Sequence, residues 1–127
     1  METLLTLLAA HVLGDFVFQN DAMSRRKREP LVLFLHVLIV TALSLLLLGN
    51  LHWPILLGIF LLHLLIDATK VYFLGPSFRA FLLDQELHLV VIVALSAIYP
   101  RAAVEGWWPE LLGNGHFPYY LAGLSLL

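Results

Sequence analysis

The sequence predicts an all-α integral membrane protein, a four-helix bundle built from two pseudo-symmetric helix hairpins and followed by a short interfacial C-terminal tail. Three observations lead there. Of 127 residues, 61% are hydrophobic and 13% charged, and the mean hydropathy is +0.90, a composition outside that of soluble domains. The apolar runs are long enough for four spans of about 20 residues each. The chain also repeats on itself at a single shift, which lays His63 on His11, Asp67 on Asp15 and His88 on His36.

The chain reads as one membrane domain over residues 1–127. Its first span covers residues 3–22 and ends at the cluster Arg25-Arg26-Lys27-Arg28. It lacks a basic leader segment, and its positive charge follows the apolar stretch, so it reads as a retained helix and not a cleaved signal. The second span, 30–48, opens on Pro30, a good first-turn residue, and closes at Gly49-Asn50, with Trp53-Pro54 continuing the turn. The third, 55–74, stops at Gly75-Pro76, and the fourth, 80–99, stops at Pro100. Arg25, Arg26, Lys27, Arg28, Lys70 and Arg79 fall at one end of the bundle and only Arg101 at the other. By the positive-inside rule the N-terminus is outside and the basic loops are cytoplasmic. In the tail, 102–127, Trp107, Trp108, Tyr119 and Tyr120 suit the outer interface. Its apolar end, 117–127, spans about 16 Å as a helix, half the hydrocarbon core, and is expected to lie at the interface or dip into it.

Several function classes are excluded or disfavoured. A net charge of −2 with one short basic cluster argues against nucleic acid as a partner. The absence of cysteine removes disulfides, thiolate metal sites and cysteine nucleophiles, so any metal must take nitrogen and oxygen ligands. Membrane lipid is the expected partner, and a homo-oligomer is left open.

The repeat carries its information in polar residues. Leucine-rich segments match one another cheaply, whereas the three histidine and aspartate matches do not, and Ala42-Leu43-Ser44 also falls on Ala94-Leu95-Ser96. Because the first and third spans point the same way, the hairpins are related by an axis along the membrane normal. At 1.5 Å per residue, His11, Asp15, His36, His63, Asp67, Asp84 and His88 all come out within about 16 Å of the basic ends, in the cytoplasmic half.

Three of the pairs share a spacing of four: His11 with Asp15, His63 with Asp67, and Asp84 with His88. That spacing puts each pair on one helix face. Imidazole nitrogens and carboxylate oxygens projected from facing helices suit zinc, manganese or iron. His11, His36, His63 and His88 are the expected ligands. Asp15, Asp67 and Asp84 are expected as further ligands, as carboxylates orienting the imidazoles, or as the base for a water. The set suffices for one metal, or for two bridged by a carboxylate. The alternative is a structural network of His–Asp hydrogen bonds. Against it, each aspartate costs about 2.5–3.5 kcal/mol to insert, so three cost on the order of 8–10 kcal/mol.

Other residues flank the cluster. Gln19 continues the His11-Asp15 face and Gln85 adjoins Asp84; both can orient a ligand or cap a helix end. Lys70 can bind a phosphate at the mouth, pair with Asp67, or extend to the interface. Gly14 permits close helix approach, and its counterpart in the second half is Ile66. Val32 and Leu33 stand where the second half has Asp84 and Gln85, so the second hairpin carries the extra chemistry. His52 and His116 match nothing under the shift and are left out of the site.

The run His11-Val-Leu-Gly14-Asp15-Phe16 with Gln19, then His36, His63-Leu-Leu-Ile-Asp67 with Lys70, and Asp84-Gln85-Glu-Leu-His88 resembles the bacterial inner-membrane family designated domain of unknown function 3307. The resemblance covers about residues 4–95. It implies a small multi-span protein of the bacterial inner membrane and marks the same polar residues, with no reaction attached. A looser likeness, of architecture alone, is to membrane-bound metal-dependent hydrolases. The functions expected are a metal-dependent hydrolase acting on a membrane-associated lipid or phosphoester, with Asp15, Asp67, Asp84 and Lys70 as catalytic residues; a divalent cation or proton carrier using the same cluster; or a structural membrane subunit.

Overall fold

The computed structural model describes residues 2–17 and 25–108. Gln19, His116 and the tail beyond Trp108 lie outside them. Four helices make up the described residues. The first, α1 (Glu2–Val12), continues into a π-helical turn, Leu13–Val17. Helix α2 is Pro30–Leu48, α3 is Trp53–Thr69 with its own π-turn at Lys70–Leu74, and α4 is Phe78–Ile98. Pro30–Leu48, Trp53–Leu74 and Phe78–Ile98 are each long and apolar enough to cross a membrane. They are apolar all round instead of on one stripe, as helices in lipid are.

The helix ends follow local chemistry. Pro30 stands in the first turn of α2, and Gly49 closes that helix in the left-handed region at φ 73°, donating its N–H to Leu45 O. Helix α3 begins at Trp53, two residues before the predicted start, because Pro54 occupies the first turn, where a missing N–H costs nothing. Helix α4 likewise begins at Phe78, because the Ser77 hydroxyl accepts the Ala80 N–H at 3.1 Å.

The helices pack in a ring in which each contacts two neighbours, α1 on α2 and α4, and α3 on α2 and α4. The bundle runs up-down-up-down. At one end the Thr3 hydroxyl donates to Pro100 O at 2.9 Å and accepts the Ala103 N–H at 3.1 Å, so α1 starts where α4 ends. Residues after α4 fold back over this end: Asn50 Nδ2 donates to Ala102 O, and the Trp107 N–H donates to Gly49 O at 2.8 Å. Ala102 and Ala103 are buried there, so this first stretch of the predicted interfacial tail caps the bundle. The half beneath this cap is filled by Leu7, Val40, Leu48, Ile55, Ile59 and Ile92 with Leu95. The opposite, basic half holds the polar cluster. Outward faces carry Leu31, Leu57, Leu65, Phe73 and Val90, all exposed.

Candidate metal centre

Seven polar side chains meet in the basic half of the bundle. His11, Asp15, His36, His63, Asp67, Asp84 and His88 are all buried, His36 completely. Three groups among them, His11-Asp15-His88, Asp15-His36-His63 and His63-Asp67-His88, each bring ligand atoms within 4.8 Å of one another.

The tightest convergence involves His36, His63, Asp15 and Asp67. His36 Nε2 is 3.2 Å from His63 Nε2, 3.2 Å from Asp15 Oδ1 and 3.3 Å from Asp67 Oδ2. His63 Nε2 is 3.7 Å from Asp15 Oδ1 and 3.4 Å from Asp67 Oδ2. Ligands held about 2.0–2.1 Å from a tetrahedral zinc stand about 3.3–3.4 Å from each other. These five separations bracket that value, so His36 and His63 with either aspartate have the spacing of ligands to one small cation.

The remaining groups extend the cluster without a break. His11 Nε2 is 3.6 Å from Asp15 Oδ2, and His88 Nε2 is 3.5 Å from Asp67 Oδ1. The imidazoles run as a chain, with ring centroids 5.2 Å apart for His36 and His63, 4.2 Å for His63 and His88, and 4.8 Å for His88 and His11. His88 Nδ1 lies 2.7 Å from the Asp84 carbonyl oxygen. A carbonyl only accepts, so Nδ1 carries the proton, and in the neutral ring Nε2 holds a lone pair aimed into the cluster. Ligating histidines are commonly fixed in this way. Asp15 Oδ1, His36 Nδ1, Asp84 Oδ1 and His88 Nε2 are buried without a hydrogen-bond partner. Buried polar atoms are rarely left so, and water, a polar ligand or a cation within the cluster would satisfy those that face it.

Gln85 caps nothing: its Oε1 is 3.2 Å from His11 Nε2, and its Nε2 donates to Asp84 Oδ2 at 3.0 Å and Asp15 Oδ2 at 3.5 Å. Lys70 does not pair with Asp67; it meets Asp84 Oδ2 at 3.4 Å and lies over the Phe81 ring. Asp67 is instead paired with Lys27, Nζ to Oδ2 at 3.3 Å, with the lysine side chain only 13% exposed. Sequence reasoning missed Lys27, because within a run of four basic residues nothing distinguishes the one that turns inward. His52 stays apart, against the Tyr99 ring.

The close approach expected at Gly14 is present. A Cβ there would lie 2.6 Å from Val40 Cγ2, so glycine lets α1 draw near α2 beside Asp15. Asp15 itself sits in the π-turn Leu13–Val17, an irregularity that often marks functional positions.

A cavity of about 530 Å³ opens at the basic end, lined by Arg25, Lys27, Arg28, Lys70 and Phe81, with Asp67 in its wall. The cavity and the polar cluster therefore share a carboxylate. The Tyr72 hydroxyl, donating to Arg28 O at 2.8 Å, ties the π-turn after α3 to the basic loop.

Comparison of the chain with curated proteins and with solved structures gives no match. Residues 3–109, a stretch that contains every member of the cluster, match the family described as protein of unknown function (DUF3307), and the chain belongs to that family.

Proposed function

We propose that this protein is a metal-dependent hydrolase of the bacterial inner membrane, acting from the cytoplasmic side on a membrane-associated lipid or phosphoester. The observation that carries the metal reading is the convergence of His36 Nε2, His63 Nε2, Asp15 Oδ1 and Asp67 Oδ2 at 3.2–3.7 Å, beside buried polar atoms without partners. Zinc, manganese and iron fit this donor set. A bound divalent metal supplies Lewis acidity at the ester and acidifies a water.

The chain's own residues support the rest. Asp84 keeps one buried oxygen without a partner and lies between Lys70 and Gln85, a position suited to taking the proton of the attacking water. Arg25, Lys27, Arg28 and Lys70 give the cavity a cationic lining for a phosphate, while Phe81 and Val71 offer apolar wall to an acyl or prenyl chain. The basic end faces the cytoplasm by the positive-inside rule.

A carrier needs a second exit. The half of the bundle under the cap is packed with Leu7, Val40, Ile55, Ile59 and Ile92. Its paired hydroxyls, Ser44 and Ser96, donate to Val40 O and Ile92 O of their own helices. That packing favours a one-sided site over a relay.

The test is metal content by mass spectrometry on tag-free protein purified without chelator, followed by phosphate release from lipid phosphoesters with zinc, manganese or iron. Bound metal, with release abolished by chelator and restored by metal, is the expected result. Folded protein that takes up no metal overturns the reading.

A further inference from the structure

We infer that the cluster holds two divalent cations bridged by Asp15 and Asp67. This rests on the metal reading above and adds the number of ions and the ligands of each. The oxygens divide the cluster. Asp15 Oδ1 and Asp67 Oδ2 face His36 and His63, whereas Asp15 Oδ2 faces His11 and Asp67 Oδ1 faces His88. Each carboxylate thus presents one oxygen to each pair of histidines, as a carboxylate bridging two metals about 3.5–4 Å apart does.

The internal repeat gives the same division independently. Exchanging the halves sends His63 to His11, His36 to His88 and Asp67 to Asp15, and so converts the His36-His63 site into the His88-His11 site. The contacts follow. His63 to Asp67 Oδ2 at 3.4 Å corresponds to His11 to Asp15 Oδ2 at 3.6 Å. His36 to Asp15 Oδ1 at 3.2 Å corresponds to His88 to Asp67 Oδ1 at 3.5 Å. Two half-sites related by the repeat, each supplied with two imidazoles and one oxygen from each shared aspartate, suit two ions.

The two sites are not equivalent. The His36-His63 site is closed by contacts of both histidines to both aspartates. In the other, the Gln85 amide reaches His11 Nε2 and Asp15 Oδ2, and the residue at its repeat position is the buried Leu33, which has no amide to offer. A cavity of about 20 Å³, room for one water-sized group by the usual ~10–15 Å³ minimum, lies among His11, His63 and His88. The pocket leaves the His11-His88 site room for a water beside its two imidazoles, while the basic cavity reaches the pair of sites through Asp67.

The experiment uses the tag-free full chain in lipid nanodiscs, stripped of metal and reloaded with Mn(II) alone. Metal is counted per chain, and the spin state is read by electron paramagnetic resonance. Two ions with the spectrum of an exchange-coupled pair are expected, falling to one ion with an isolated-Mn(II) spectrum in His88→Ala. One ion per chain in the wild type, or two without coupling, overturns the bridged pair and leaves the metal reading standing. No ion in folded wild type removes both. The wild-type count and spectrum decide the matter even if the variant does not fold.

Discussion

His88 donates its Nδ1–H to the Asp84 carbonyl one turn earlier on the same helix, at 2.7 Å, and this bond turns the ring so that Nε2 stands 3.5 Å from Asp67 Oδ1 on the neighbouring helix. The bond fixes both the rotamer and the tautomer. A side chain usually disfavoured in lipid is thereby prepared as a donor to a cation. His88→Gln, which keeps bulk and polarity but loses the imidazole, is expected to lower metal affinity about 10–100-fold, measured by competition with a chromogenic chelator. Unchanged affinity would return His88 to a packing role.

Lys27 and Asp67 form the most enclosed lysine–carboxylate pair among the described residues, the side chains 13% and 2% exposed. Lys27→Met leaves Asp67 buried beside His36 and His63 without its ammonium, which is expected to cost about 3–5 kcal/mol in metal-free protein. Metal at about a hundred times its Kd returns about 2.7 kcal/mol. Thermal unfolding in detergent with and without one fixed zinc concentration checks this: with the competing ammonium gone the variant binds metal more tightly, and so gains more from it than the wild type does.

Gln85 touches His11, Asp15 and Asp84 at once. Gln85→Leu copies the residue that the first hairpin carries at Leu33. It is expected to retain metal while lowering turnover about 10–100-fold, read from phosphate release alongside metal content.

Gly14→Val forces a side chain into Val40 Cγ2, which already lies 2.6 Å from a Cβ placed there. Overpacking of this kind costs about 1–3 kcal/mol, and it displaces Asp15 from the histidines. Both stability and metal content should fall. By contrast Gly49→Ala, at φ 73° and against Trp107 N at the far end of the bundle, should lose stability alone. Metal loss in Gly49→Ala would mean that the two ends are coupled.

Imidazole and carboxylate bind metal in their deprotonated forms, so metal binding releases protons and strengthens as pH rises. Acidification is expected to free the metal before the bundle unfolds, because the helices of the far half are held by apolar contact and not by charge. Parallel pH titrations of metal release and helicity check the order of events.

The sequence by itself determined the membrane class, the helices and the identity of the polar set. Composition and run length fix helices in lipid, since only there are all backbone groups satisfied within the segment, and the high insertion cost of His and Asp makes their recurrence in two halves legible. The repeat also implied which residues correspond. Only the tertiary structure decided which atom faces which. Whether Lys70 pairs with Asp67 or Asp84, and that Lys27 turns inward, depend on how the loop after residue 24 and the π-turn at Lys70–Leu74 meet across the bundle, and no local spacing encodes that. The role of Gln85 is of the same kind. Its spacing of one from Asp84 points to no shared partner, yet α4 lies beside α1 and carries the amide to His11 and Asp15. Periodicity places a side chain on a face of its own helix; the rotation and approach of neighbouring helices, set by small residues such as Gly14, decide what that face meets.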